Sequence, residues 1–166
     1  MSSSRRSRWP VLIVLGLLVA LHFYVRPRLW PGRSAPDFLL LALLLFATRT
    51  RPGVAAVAGF LVGLATDILT PARFGAGALS HTVVGYLAAW GRAVFFPDNL
   101  LVNAGLFAGG VWFRTAILLL ASGVTAQELG HTLAVWSPLQ ALSTALAGVI
   151  VVILFRDWLA MRRREE

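Results

Sequence analysis

Three ionisable side chains interrupt long apolar stretches of this sequence: Asp67, His81 and Arg114. A carboxylate, an imidazole and a guanidinium could relay a proton, hold an anion or form an ion pair. Their positions favour the pair. Asp67 stands fourteen residues from the start of its apolar run, and Arg114 fourteen from the start of its own. Two runs crossing a bilayer in the same direction would bring these charges to matching depth. A lone charge there costs about 3 kcal/mol or more. The sequence therefore predicts an Asp67–Arg114 ion pair. In the competing reading, Asp67 caps the end of its helix or reaches water alone. His81, between Ser80 and Thr82, reads as a hydrogen-bonded packing residue ahead of a proton relay. His22 and His131 fall near run ends, at the membrane–water interface.

Other chemistry is excluded by type or spacing. There is no Cys, which removes disulfides, Cys-ligated zinc and thiol catalysis. Three scattered His with no carboxylate at ligand spacing make no metal site. No GxSxG, HExxH or phosphate-binding loop motif occurs. No catalytic, cofactor-binding or metal-binding residue is assigned, and the chain is expected not to be an enzyme.

A second pattern lies in the small residues. Gly59, Gly63 and Asp67 recur every four positions, with Ala55 one step earlier, which puts all four on one helical face. Gly105 and Gly109 repeat the spacing further on. Such faces let helices approach closely in lipid. They either pack within the bundle or receive a partner helix, and Gly59, Gly63, Gly75, Gly77, Gly105 and Gly109 are the candidate packing or partner-groove positions.

The elements carrying these residues follow from composition. In 166 residues, 58% are hydrophobic and only 13% charged, against a usual ~25% charged. A soluble domain of this size could not bury that much apolar surface, and a disordered chain would be poor in it. Six apolar runs emerge: Trp9–Val25, Ala35–Thr48, Gly53–Thr70, Phe74–Trp90, Leu100–Ser122 and Thr132–Phe155. Spanning ~30 Å of hydrocarbon takes ~17–25 residues, so Ala35–Thr48 reads as a short spanning helix, with a re-entrant segment as its alternative. Pro36 suits its first turn. The Arg-flanked first run lacks a small-residue cleavage site and reads as an uncleaved helix. The whole chain, 1–166, is then one all-α transmembrane domain of about six helices, with short Arg-rich tails at 1–8 and 156–166.

Orientation follows from arginine, the only basic residue besides His. With both termini cytoplasmic, ten arginines lie inside and Arg26, Arg28, Arg33 and Arg73 outside, while Arg114 lies within a run. Trp9, Trp90 and Trp158 fall at inner ends and Trp30 and Trp136 at outer ends, where indoles favour the interface. Trp112 is the exception. The first outer loop, held extended by Pro27 and Pro31, is a solvated connector or a contact for anionic headgroups or a periplasmic partner. The Arg-rich C-terminal tail anchors the chain at the anionic inner leaflet.

The stretch AlaProAspPheLeuLeuLeu at 35–41, the stretch GlyPheLeuValGlyLeuAlaThrAspIleLeuThr at 59–70, Phe74-Gly75 and Gly85-Tyr86 resemble the core motif of the MreD family of rod-shape-determining membrane proteins. Carried over, the motif positions are Gly59, Gly63, Asp67 and Gly75. The resemblance implies a bundle similar to the six-helix substrate-binding subunits of energy-coupling-factor transporters. It also implies a non-enzymatic scaffold of the bacterial elongation machinery in the inner membrane. That scaffold would bind MreC directly, within a complex holding RodA, a class B penicillin-binding protein and MreB, and would help regulate peptidoglycan synthesis and cell shape. Membrane lipids are the other expected partner; no nucleic acid and no cofactor are. A small-molecule-binding subunit of a transporter is the alternative. It would need polar residues converging on an outer cavity, for which Asp67, His81, Arg114, Thr66 and Ser80 are the candidates.

Overall fold

Caps and prolines decide where the apolar runs turn into helices. The computed structural model describes residues 9–29, 34–91 and 99–155, and every regular element among them is helical. Helix α1 joins Trp9–Ala20, a π-helical turn Leu21–Val25 and Arg26–Leu29. Helices α2 (Phe38–Ala47), α3 (Pro52–Leu69), α4 (Ala76–Gly91) and α5 (Leu100–Ala121) follow. Helix α6 joins Ala126–His131, a π-helical turn Thr132–Trp136 and Ser137–Leu154. The expected all-α membrane architecture is present. Four of these helices, α1, α3, α5 and α6, are long and apolar enough to cross a membrane. The tail arginines, Arg33, Arg92, Trp30 and Trp158 lie outside the described residues.

Helix α2 explains the shortest run. Its ten residues rise about 15 Å, half the hydrocarbon thickness, so it does not span alone. Nine of the ten are buried, and α2 touches every other helix. A helix surrounded by protein has no lipid-facing or water-facing side, hence its uninterrupted run of Leu, Ala and Phe. Asp37 caps it, and Pro36 falls just outside it.

The outer helices are arranged in the opposite sense. On α3 the buried residues are Ala55, Gly59, Gly63 and Asp67, while Val57, Phe60, Leu61 and Ile68 are exposed. Small and polar inside, large and apolar outside is the pattern of a bundle packed in lipid.

Both π-helical turns lie four residues before a proline. Pro27 has no N–H for the Phe23 carbonyl and Pro138 none for Ala134, and each ring crowds the carbonyl four residues back. The backbone widens: the Arg26 N–H bonds the Leu21 carbonyl, and the Ser137 N–H bonds that of Thr132. The segment Arg26–Leu29 is thus helical, which corrects the extended loop expected around Pro27. Widening also frees the Leu133 carbonyl, and Trp112 Nε1 donates to it at 3.2 Å. That bond accounts for the one tryptophan the interface rule left out.

Candidate functional site at the buried helix termini

Helix α2 starts inside the protein. The first N–H groups of a helix have no partner within it, and in hydrocarbon the protein must supply one. Three elements do so. The Asp37 N–H donates to Thr144 Oγ1 of α6 at 3.0 Å. The Leu39 N–H donates to His22 Nδ1 of α1 at 3.1 Å. The Leu40 N–H donates to Oδ1 of Asp37 itself at 3.1 Å. The approach to the helix is pinned likewise. Ser143 Oγ donates to the Ser34 carbonyl at 2.7 Å, and Gln140 Nε2 to that of Ala35 at 3.4 Å.

The cap brings a buried charge that needs an opposite one. Arg114 of α5 supplies it, with a guanidinium nitrogen 3.8 Å from Asp37 Oδ2. His22 Nδ1 lies 3.4 Å from Asp37 Oδ1. His81 of α4 is fully buried, and its Nδ1 donates to the Gly77 carbonyl at 2.8 Å. Helix α4, which carries it, packs against α2. Residues from α1, α4, α5 and α6 therefore converge on the start of α2.

The expected Asp67–Arg114 pair does not form. Asp67 is also buried, but its carboxylate serves the start of α4. Oδ2 accepts from the N–H groups of Gly75 at 3.0 Å and Ala78 at 2.9 Å, and Oδ1 from that of Gly77 at 2.9 Å. Matching depth fixes one coordinate of a side chain in a bundle. It leaves open the direction around the helix axis, which turns Asp67 toward α4 and Arg114 toward α2. The missed partner is Asp37, whose place just before a wholly apolar run is that of an N-cap. His22 and Thr144 carried no sequence signal, since their partners stand 17 and 107 residues away.

The hairpin of α3 and α4 is closed by glycine. A Cβ on Gly59 would strike the His81 carbonyl, one on Gly63 the Gly77 carbonyl, and one on Gly85 would lie 2.7 Å from the Ala55 carbonyl. As numbers rise along α3 they fall along α4, so the helices run antiparallel with backbones in contact. Gly77 sits under the Asp67 carboxylate and Thr66 hydroxyl. Gly75 has φ +93°, a left-handed value that a side chain would strain. The face carrying Gly59 and Gly63 is therefore filled by this chain's own α4.

Gly105 and Gly109 are placed differently. Both are exposed on α5, and a Cβ at either would meet nothing within 4 Å. Leu101, Trp112, Phe113 and Leu120 are exposed on the same helix. The result is a notch in a bulky apolar surface.

Chemically, the described residues offer charge and hydrogen-bond donors at the start of α2 and a shallow apolar surface on α5. Among them, no group of three or more His, Asp or Glu is placed to hold a metal ion.

Comparison with known proteins bears on the whole chain. No curated protein and no solved structure matches it. One family does, the rod shape-determining protein MreD, over residues 4–161. A match of that extent shows that the chain belongs to the MreD family, multi-pass membrane proteins that act in rod-shape determination.

Proposed function

We propose that this chain is a non-enzymatic scaffold of the cell-elongation complex that docks the transmembrane helix of MreC on the open face of α5. The carrying observation is the notch at Gly105 and Gly109, the one glycine pair at four-residue spacing that no helix of the described chain covers. Small residues four apart let a second helix approach to backbone distance, and dispersion between the close surfaces drives association in lipid. Trp112 and Phe113 would line one wall of the contact. Bound there, MreC would link this bundle to peptidoglycan synthesis, with RodA, a class B penicillin-binding protein and MreB in the wider assembly. The arginine asymmetry supports a place in the inner membrane with both termini cytoplasmic.

The test is co-purification of tagged MreC with full-length protein carrying Gly105→Leu and Gly109→Leu together. The matched control is Gly16→Leu, an equally open position on α1. The paired change is expected to remove MreC from the eluate while the control retains it. Equal recovery from both variants would overturn the α5 face as the dock.

A further inference from the structure

Around the start of α2, three buried side-chain atoms have no hydrogen-bond partner: His81 Nε2, Arg114 Nε and Ser137 Oγ. Native proteins rarely leave such atoms unpaired, because each forfeits the hydrogen bonds it would make to water. Ser137 and His81 are essentially inaccessible, at 1% and 0% exposure, so bulk water does not serve them.

Their chemistry defines what is missing. A carbonyl can only accept, so His81 Nδ1, bonded to the Gly77 carbonyl, carries the ring proton. Nε2 of the neutral ring is then a bare acceptor that needs a hydroxyl or N–H from outside. Arg114 Nε–H is a donor that needs an oxygen. The Ser137 hydroxyl can do either. Ser137 shares the α6 face of Gln140 and Thr144, whose bonds fix Ala35 and Asp37.

Charge narrows the class. Arg114 of α5 and His22 of α1 lie 3.8 and 3.4 Å from the Asp37 carboxylate, Arg26 lies 3.5 Å from His22 Nε2, and His81 comes from α4. Helix α6 contributes only neutral polar groups. The oxygens of Asp67 on α3 are spent on three backbone N–H groups. Two arginines thus stand against one carboxylate, Asp37, which is itself paired with Arg114 and bonded to the Leu40 N–H. The side chains of Arg114 and His22 keep 16% and 10% of their surface accessible, which leaves an approach to the cluster. Two π-helical turns flank it, one holding His22 and one directly preceding Ser137, and such turns recur at functional sites.

We propose that the start of α2 is a binding site for an oxyanion of the phosphate class that carries its own hydroxyl donor. The anionic oxygens take the Arg114 Nε–H and Ser137 O–H, and the ligand hydroxyl donates to His81 Nε2. Hydrogen phosphate and the phosphate-plus-glycerol headgroup of phosphatidylglycerol share this chemistry.

The experiment uses full-length protein freed of lipid by detergent exchange. One arm titrates inorganic phosphate and follows the unfolding midpoint. The other counts lipids retained by native mass spectrometry after reconstitution with phosphatidylglycerol or with phosphatidylcholine. Wild type is expected to bind in at least one arm. Ser137→Ala, which removes a hydroxyl with no partner in the protein, should keep the unliganded midpoint and weaken binding about tenfold. Arg114→Lys, which keeps the charge but not the Nε–H, should weaken it further. Phosphate binding assigns the site to a free anion, and phosphatidylglycerol retention over phosphatidylcholine to a headgroup. Absence of binding in both arms, or wild-type affinity in both variants, overturns the site.

Discussion

Asp37 and Asp67 are both buried carboxylates that accept N–H groups at the start of a helix, and they solve the same problem by different means. Asp67 sits at the end of α3 and satisfies the start of α4 across one short turn, through three backbone N–H groups 8 to 11 residues away. Asp37 satisfies only one N–H of α2 with its side chain; His22 and Thr144 accept two more, and Arg114 offsets the charge, all from three other helices. One cap is a local motif of a hairpin; the other exists only once the bundle has assembled. A local cap can be replaced by nothing else in the chain, whereas a distributed one loses its parts separately. The two sites should therefore differ in how steeply each single substitution is felt.

The hairpin that holds Asp67 is expected to be the least tolerant part of the molecule. Gly63→Leu drives a side chain into the Gly77 carbonyl and the Ala78 backbone, where no flexible group can yield. Overpacking costs about 1–3 kcal/mol even in adaptable cores, and backbone against backbone exceeds that range. No folded protein should be recovered after detergent extraction, judged by gel filtration. A monodisperse Gly63→Leu protein would show that the hairpin can open, and the local reading of Asp67 would fail with it.

Asp67→Ala comes next. It strands the buried N–H groups of Gly77 and Ala78 at roughly 1–3 kcal/mol each and frees the part-buried one of Gly75, so a loss of about 3–6 kcal/mol is expected in SDS-driven unfolding. Arg114→Gln should cost less, about 3 kcal/mol, because Asp37 keeps its bond to the Leu40 N–H. In double-mutant cycles, Arg114→Gln should couple to Asp37→Asn by about 1–2 kcal/mol and be additive with Asp67→Asn. Coupling to Asp67 in place of Asp37 would reverse the assignment of the two carboxylates.

How much of this was legible in the sequence follows the same division. The six apolar runs match the six helices to within a few residues at most ends, because hydrophobic length is a local property. Helix α6 starts six residues before its run, since Thr125 accepts from the Glu128 N–H and caps a polar first turn. The Gly59–Gly63–Asp67 face was readable as a face because three successive turns of one helix display it. What it packs against was not, since spacing does not say which neighbour arrives. Pro27 and Pro138 marked both π-helical turns at the same offset, a signal present in the sequence and overlooked. Arg114 was legible as a charge in need of a partner. Depth alone could not choose between two carboxylates.

The smallest expected effect isolates the distributed cap itself. Thr144 accepts the Asp37 N–H through its hydroxyl, and the residue is fully buried. Thr144→Val keeps the β-branched shape and helix geometry but offers no acceptor, leaving one N–H unpaired. The neighbouring bonds from Leu39 to His22 and from Leu40 to Asp37 stay in place, so the loss should be about 1 kcal/mol. Thr144→Ser restores an acceptor at the cost of a methyl group and should recover part of it. Amide hydrogen exchange gives the sharper reading. The Asp37 and Leu39 amides should exchange faster in Thr144→Val, while those of Gly75, Gly77 and Ala78 hold wild-type protection. If protection falls at both helix starts together, the two caps open as one unit and the distinction between them disappears.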